Sequence, residues 1–117
     1  MLAEIPEITV QELDAKMKAG EKFFLVDVRE PWELELAQIK DERAIFLPMS
    51  RISREREEAF PPDLRDPQAG IVVICHHGIR SGQVTIWMRQ QGWQKVVSLA
   101  GGIAAYAEQI DPTVGEY

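Results

Sequence analysis

A single cysteine, Cys75, is the first constraint set by this 117-residue chain. Without a second thiol there is no intramolecular disulfide and no multi-thiolate zinc site. A lone thiol suits a reducing compartment, so the expected location is cytoplasmic. No apolar run approaches the roughly 20 residues that a membrane-spanning helix needs. The start, Met1-Leu2-Ala3-Glu4-Ile5-Pro6-Glu7, has neither the basic nor the apolar region of a signal peptide. Positive charge is also scarce: 13 Lys and Arg face 19 Asp and Glu, for a formal net charge of -6. That balance argues against broad nucleic-acid binding through phosphate contacts. A small anionic ligand is still compatible, because a local positive field can sit inside an acidic protein.

What is present is an ordinary globular mixture, 45% hydrophobic and 27% charged. Internal repeats, low-complexity tracts and interdomain linkers are absent, so residues 1–117 are expected to form one domain. Thr9 and Glu12 make a capping-box pattern ahead of Val10, Leu13 and Met17 at helical spacing, and Gly20 is placed to end that helix. Phe23-Phe24-Leu25-Val26-Asp27-Val28 is an apolar, β-prone run suited to a strand covered on both faces. Pro31 fits the first turn of a short helix through Trp32, Glu33 and Leu36. Ala44-Ile45-Phe46-Leu47 predicts a second buried strand, stopped at Pro48.

Ser50 to Ala59 is strongly charged and predicts one solvated helix, closed by Pro61-Pro62. Within it, Arg51, Arg54 and Arg56 alternate with Glu55, Glu57 and Glu58, as on a solvent-facing surface. Ile71-Val72-Val73-Ile74-Cys75 is the most apolar run and the expected central strand. A helix from about Arg80 or Ser81 to Gln91 follows, with Val84, Trp87 and Met88 on one face and Gly92 as its stop. Val96-Val97-Ser98-Leu99 predicts a further strand, and Gly101-Gly102 leads into a helix containing Tyr106. Asp111 to Tyr117 carries no signal of its own. Strands alternating with helices imply right-handed crossovers and a parallel sheet covered on both faces.

In such folds ligands collect beyond the carboxyl ends of the strands. Two segments fall there, Asp27-Val28-Arg29 and Cys75 to Arg80. A tight loop after Cys75 can turn its backbone N–H groups toward the sulfur at the positive end of a helix. Arg80 adds a permanent charge, and both effects favour negative charge on sulfur. The alternative for Cys75 is an inert core thiol, since free cysteine is among the most buried residue types. Gly78, which permits an unusual backbone angle, and Arg80 at the strand-to-helix junction tip the balance toward a reactive site.

Cys75-His76-His77-Gly78-Ile79-Arg80-Ser81 resembles the active-site loop of the rhodanese family, in which a cysteine and a terminal Arg or Thr enclose four residues. Asp27-Val28-Arg29-Glu30-Pro31-Trp32-Glu33 is similar to the segment after that family's second strand. Leu99-Ala100-Gly101-Gly102-Ile103 with Tyr106 is similar to its closing Gly-Gly motif. The resemblance implies an α/β fold with a central five-stranded, mostly parallel sheet and helices on both faces. It also implies sulfur transfer through a persulfide on Cys75, the catalytic residue. Arg80, His76, His77, Gly78, Ile79 and Ser81 would then face the substrate, with Asp27 and Arg29 in support. The implied partners are a small sulfur anion such as thiosulfate and a thiol or protein-cysteine acceptor. No cofactor, metal, membrane or nucleic acid is implied.

The chain departs from the family pattern at Ala37-Gln38-Ile39, where Gly-His-Ile is usual, and at Tyr106, where Trp is more frequent. His76 and His77 are either a source of protons and pH-dependent charge or, as the favoured expectation, solvent-facing loop residues. A Cys-His-His metal site is disfavoured, because consecutive residues on a tight loop rarely aim at one ion. Asp27 and Arg29 are expected to be structural, Asp27 capping backbone amides and Arg29 pairing with Glu30 or Glu33. Gly101-Gly102 is expected to let backbone pass close to the Cys75 loop. Trp32, Trp87 and Trp93 are expected in core or half-buried packing.

Among rival functions, phosphatases of related fold use five residues between cysteine and arginine, whereas four intervene here. Mercaptopyruvate sulfurtransferases end the loop in Thr, whereas this one ends in Arg80. A non-catalytic interaction module would be free to lose the cysteine, which is kept.

Overall fold

The computed structural model describes residues 4–117; Met1 to Ala3, part of the start segment read for a targeting signal, lie outside them. Five strands form one sheet: β1 (Glu7–Ile8), β2 (Phe24–Asp27), β3 (Ala44–Phe46), β4 (Ile71–Ile74) and β5 (Val96–Leu99). Their order is β1-β5-β4-β2-β3, and every pairing is parallel. Among the described residues the α-helices are α1 (Val10–Lys18), α2 (Pro31–Leu34), α3 (Met49–Glu55), α4 (Ile79–Gln91) and α5 (Gly102–Gln109).

Strand alternation divides the apolar residues between two cores. Val26, Ile71, Val73, Cys75 and Val96 face Ile52 of α3 and Val84 and Met88 of α4. Leu25, Val72, Ile74 and Leu99 face Val10 and Leu13 of α1 and Ile103 and Tyr106 of α5. All four residues of β4 are buried, as expected for a centre strand enclosed on both sides. The predicted α/β architecture is therefore the observed one, with a sheet that is wholly parallel.

Local chemistry explains the element ends. The Thr9 side chain accepts from the Glu12 amide, and Glu12 accepts from the Thr9 amide, closing the capping box that starts α1. Gly92 ends α4 in the left-handed region at φ 115°.

Three expectations need correction. Residues 44–46 form an edge strand and are only half-buried, because β3 pairs on one side alone. The predicted helix over 50–59 stops at Glu55, Arg56 takes a left-handed φ of 57°, and Arg56–Ala59 continues as a 3-10 turn. That turn drives Phe60 into the core, where its ring stacks on Trp87 and packs against Trp93. Trp32 is 62% exposed instead of packed, its edge lying against Tyr117.

Candidate active site

β4 ends where Cys75 begins its turn, and α4 starts four residues later, at Ile79. The Cys75 side chain points to the α4 side of the sheet and is only 1% exposed. Its Sγ accepts from the Gly78 amide at 3.1 Å and from the Ser81 amide at 3.3 Å. Gly78 reaches this position because it is the N-cap of α4 with φ 100°, a backbone angle that a side chain rarely tolerates. The amides of Ile79 and Arg80, first residues of the helix, have no carbonyl one turn back to bind. The sulfur thus sits among donors at the positive end of a 13-residue helix.

A hydroxyl pair closes the inner side. Ser81 Oγ lies 3.3 Å from Cys75 Sγ and 2.7 Å from Ser98 Oγ. Register accounts for the meeting: Ser98 of β5 pairs with Val73 of β4, two residues before Cys75, so all three side chains face α4. Ser81 and Ser98 are both fully buried.

The other side of the loop is held by α5. The Ile103 amide donates to the Cys75 carbonyl and the Ala104 amide to the His76 carbonyl, at 2.9 and 3.0 Å. A side chain on Gly102 would bring its Cβ within 2.6 Å of the Cys75 oxygen, so the expected close passage of backbone at Gly101-Gly102 is observed.

Charges stand one layer out from the sulfur. Arg80 gives both terminal nitrogens to Glu33 of α2, each bond 2.7 Å long. Glu33 is 2% exposed and also accepts from the Glu30 amide and the Tyr117 hydroxyl. Chiefly through the Arg80 hydrogen bonds, its carboxyl is lowered to about 2. The same bonds raise the Arg80 guanidinium above its ordinary value. Arg29, with no exposed surface, forks onto Asp27 and also donates to the Tyr117 hydroxyl and the Glu33 carbonyl. Asp27 also accepts from the Arg29 amide. Asp27 thus accepts a backbone amide, and Arg29 pairs with Asp27 instead of the Glu30 or Glu33 carboxylate that the sequence suggested.

His76 is half-buried between two rings, with Tyr117 at 3.7 Å and His77 at 3.9 Å between centroids. It therefore departs from the solvent-facing expectation, whereas His77 is exposed. Burial, then the neighbouring His77, hold the His76 imidazole below its ordinary value. Ile79 is 72% exposed on the rim. A cleft of about 250 Å³ opens beside His76, lined by Ile103, Ala104, Glu108, Glu116 and Tyr117. Among the described residues no cluster of three or more His, Cys, Asp or Glu side chains is arranged to hold a metal ion, and no helix is long and apolar enough to cross a membrane.

Three residues in this arrangement carried no functional assignment from sequence: Glu33, Ser98 and Tyr117. Ser98 had a usable signal, since a hydroxyl two residues after Val96 falls on a core face. Glu33 stood in the segment over residues 27–33, but its Arg80 and Tyr117 partners are distant in the chain, and Tyr117 had no signal.

Comparison with known proteins points one way. The sequence model of the rhodanese-like domain matches residues 9–109. A protein named sulfurtransferase from Allochromatium vinosum is 36% identical over 110 residues, covering 94% of this chain and 95% of that protein. The rhodanese-like/PpiC domain-containing protein 12 of Arabidopsis thaliana chloroplasts is 32% identical over 97% of this chain. This chain spans only 38% of that protein's length. A rhodanese-related protein from Thermoplasma volcanium superimposes with a TM-score of 0.67 at 28% identity, covering 90% of this chain and 93% of its own.

Proposed function

The chain belongs to the rhodanese-like domain family, and from that premise we propose a sulfurtransferase that carries sulfane sulfur as a persulfide on Cys75. The observation that carries this proposal is the setting of Cys75 Sγ, held by two amides and a hydroxyl at the start of α4.

In the first half-reaction the Cys75 thiolate attacks the outer sulfur of a thiosulfate-like donor. The donor's S–S bond breaks, its electron pair leaves with sulfite, and Cys75 keeps the transferred sulfur as a persulfide anion. In the second, an acceptor nucleophile such as a thiolate or cyanide attacks that outer sulfur and the Cys75 thiolate returns. This is covalent catalysis in two halves, with ping-pong kinetics.

Gly78 and Ser81 hold the inner sulfur, while the amides of Ile79 and Arg80 favour charge moving onto the outer one. His76, His77 and Ile79 form the rim that the donor crosses. Arg80, one-third exposed beyond its pair with Glu33, turns that remaining surface to the donor's anionic end. Because the chain has one cysteine, it has no thiol of its own to resolve the persulfide. Discharge therefore requires a nucleophile from outside this domain, and delivery to a partner's cysteine is the second role this chemistry favours. We place the protein in a reducing compartment, the cytoplasm, where such acceptors are kept as thiols.

Intact-mass spectrometry after thiosulfate treatment is expected to show one added sulfur, lost on adding cyanide and absent in Cys75→Ser. An unchanged mass with several sulfane donors, while the thiol is titratable, would overturn the proposal. Turnover of aryl phosphates that depends on Cys75 would favour the phosphatase alternative.

A further inference from the structure

Two buried hydroxyls in series behind a reactive sulfur are more than packing. Cys75 Sγ, Ser81 Oγ and Ser98 Oγ form a chain with steps of 3.3 and 2.7 Å, and either serine can be the donor in the second step. We propose that Ser98 is a positioning residue for the sulfur chemistry: its hydroxyl and that of Ser81 reverse direction together as negative charge arrives at and leaves Cys75 Sγ. The proposal rests on the persulfide cycle above and adds a residue to it.

The two directions follow from donor inventory. With a protonated thiol, S–H donates to Ser81 Oγ, and Ser81 donates onward to Ser98 Oγ. When that proton leaves to solvent, the Ser81 hydroxyl turns to donate to the sulfur anion. Ser81 Oγ then has free lone pairs, and the Ser98 hydroxyl turns to donate into them. A donor that is itself receiving a hydrogen bond is the stronger donor, so Ser98 strengthens the bond to sulfur without touching it. After sulfur transfer the charge sits on the outer atom, about 2 Å away, and the pair is released to turn back.

Burial makes the reversal consequential. Ser81 and Ser98 are both fully buried, so a hydroxyl left pointing the wrong way finds no water. The fixed amides of Gly78 and Ser81 donate to sulfur in every state; only the hydroxyls adjust. Charged groups around Cys75 are already matched: Arg80 of α4 with Glu33 of α2, and Arg29 with Asp27 at the end of β2. His76 and His77 on the loop are the remaining titratable groups in the immediate chain.

The test is the pH profile of Cys75 alkylation by iodoacetamide, which reads the anion directly and needs no sulfur donor. Below the midpoint, Ser81→Ala is expected to slow alkylation about tenfold, the scale of one hydrogen bond to a charged atom. Ser98→Ala is expected to slow it about threefold, as a bond acting at second hand. The double variant should match Ser81→Ala alone, because Ser98 acts only through Ser81. Thr85→Val, a buried hydroxyl removed from the same helix, should leave the profile unmoved. An unchanged profile in Ser98→Ala overturns the proposal, as does a double variant that shows the product of the two single effects. Equal slowing in Thr85→Val does the same, since it would show general loosening of α4. Wild-type protein that never gains sulfur would sink the sulfurtransferase proposal while leaving these profiles interpretable.

Discussion

Around Cys75 the structure uses neutral donors, whereas the layer outside it uses charges locked in pairs. The sulfur meets two amides and a serine hydroxyl. Beyond it, Asp27, Arg29, Tyr117, Glu33 and Arg80 run as one bonded series from the end of β2 to the start of α4. Dipoles can stabilise an anion that appears and disappears, because they carry no net charge when it is gone. Fixed ion pairs serve a different purpose, which is to hold three chain segments in register whatever the sulfur is doing. On this comparison, loss of a charged partner should damage stability first, and loss of a neutral donor should damage reactivity first.

The sharpest way to break the comparison is Arg29→Met. Arg29 is wholly buried, and its removal strands the buried Asp27 carboxylate and takes a donor from Tyr117. Breaking one side of a buried pair costs about 3–5 kcal/mol. Urea denaturation is expected to show a loss of that size, with Asp27→Asn in the same chain recovering part of it. A loss under about 1 kcal/mol would show that the ion pairs are not what holds the segments together.

Glu33 supplies the pH-dependent part. Its carboxyl lies near 2 in the folded protein against an ordinary 4.5, mainly because Arg80 donates to it. A depressed folded value means the stabilisation is complete above about 4.5 and drains away as pH falls toward 2. Allowing for solvent screening at the partly exposed Arg80, the amount is about 2–3 kcal/mol. Wild type should therefore lose that much between pH 4.5 and 2 beyond what Glu33→Gln loses over the same window. Parallel acid-unfolding curves for the two proteins would remove Glu33 from the account.

The neutral layer was the more legible of the two in the sequence. Cys75, Gly78 and Ser81 are near neighbours, and the strand before them and helix after them follow from hydrophobic period and a glycine. Gly101-Gly102 was legible for the same reason, as a pair that only a close backbone approach requires. The charged layer was legible only in part: Asp27, Arg29 and Arg80 lie in the motifs, whereas the links that join them span the chain, with Tyr117 reaching Glu33, 84 residues away, and Glu33 reaching Arg80, 47 residues away. No local pattern marks such partners. The two-residue β1 was missed because Glu7–Ile8 is too short to show alternation, and its pairing depends on β5 being exposed as an edge. Arg56 was misjudged because charge pattern reports solvent exposure, whereas the break in the helix is imposed by Phe60 seeking the core.

Thr85 tests the edge of the neutral layer. It is one turn beyond Ser81 on α4 and fully buried, yet among the described residues its Oγ1 has no hydrogen-bond partner. Valine matches threonine in shape and in its branched Cβ, so Thr85→Val exchanges an unpaired buried oxygen for a methyl group. Leaving such an oxygen unpaired costs about 1–3 kcal/mol, and the variant is expected to gain about 1 kcal/mol. That corresponds to a rise of roughly 4 °C in thermal midpoint for a chain of this size. Destabilisation would instead show that the hydroxyl binds a carbonyl one turn back, as helical threonines can. A hydroxyl whose loss stabilises the fold and leaves Cys75 alkylation untouched would mark where the functional chain stops: at Ser98 and Ser81, the two hydroxyls linked to sulfur.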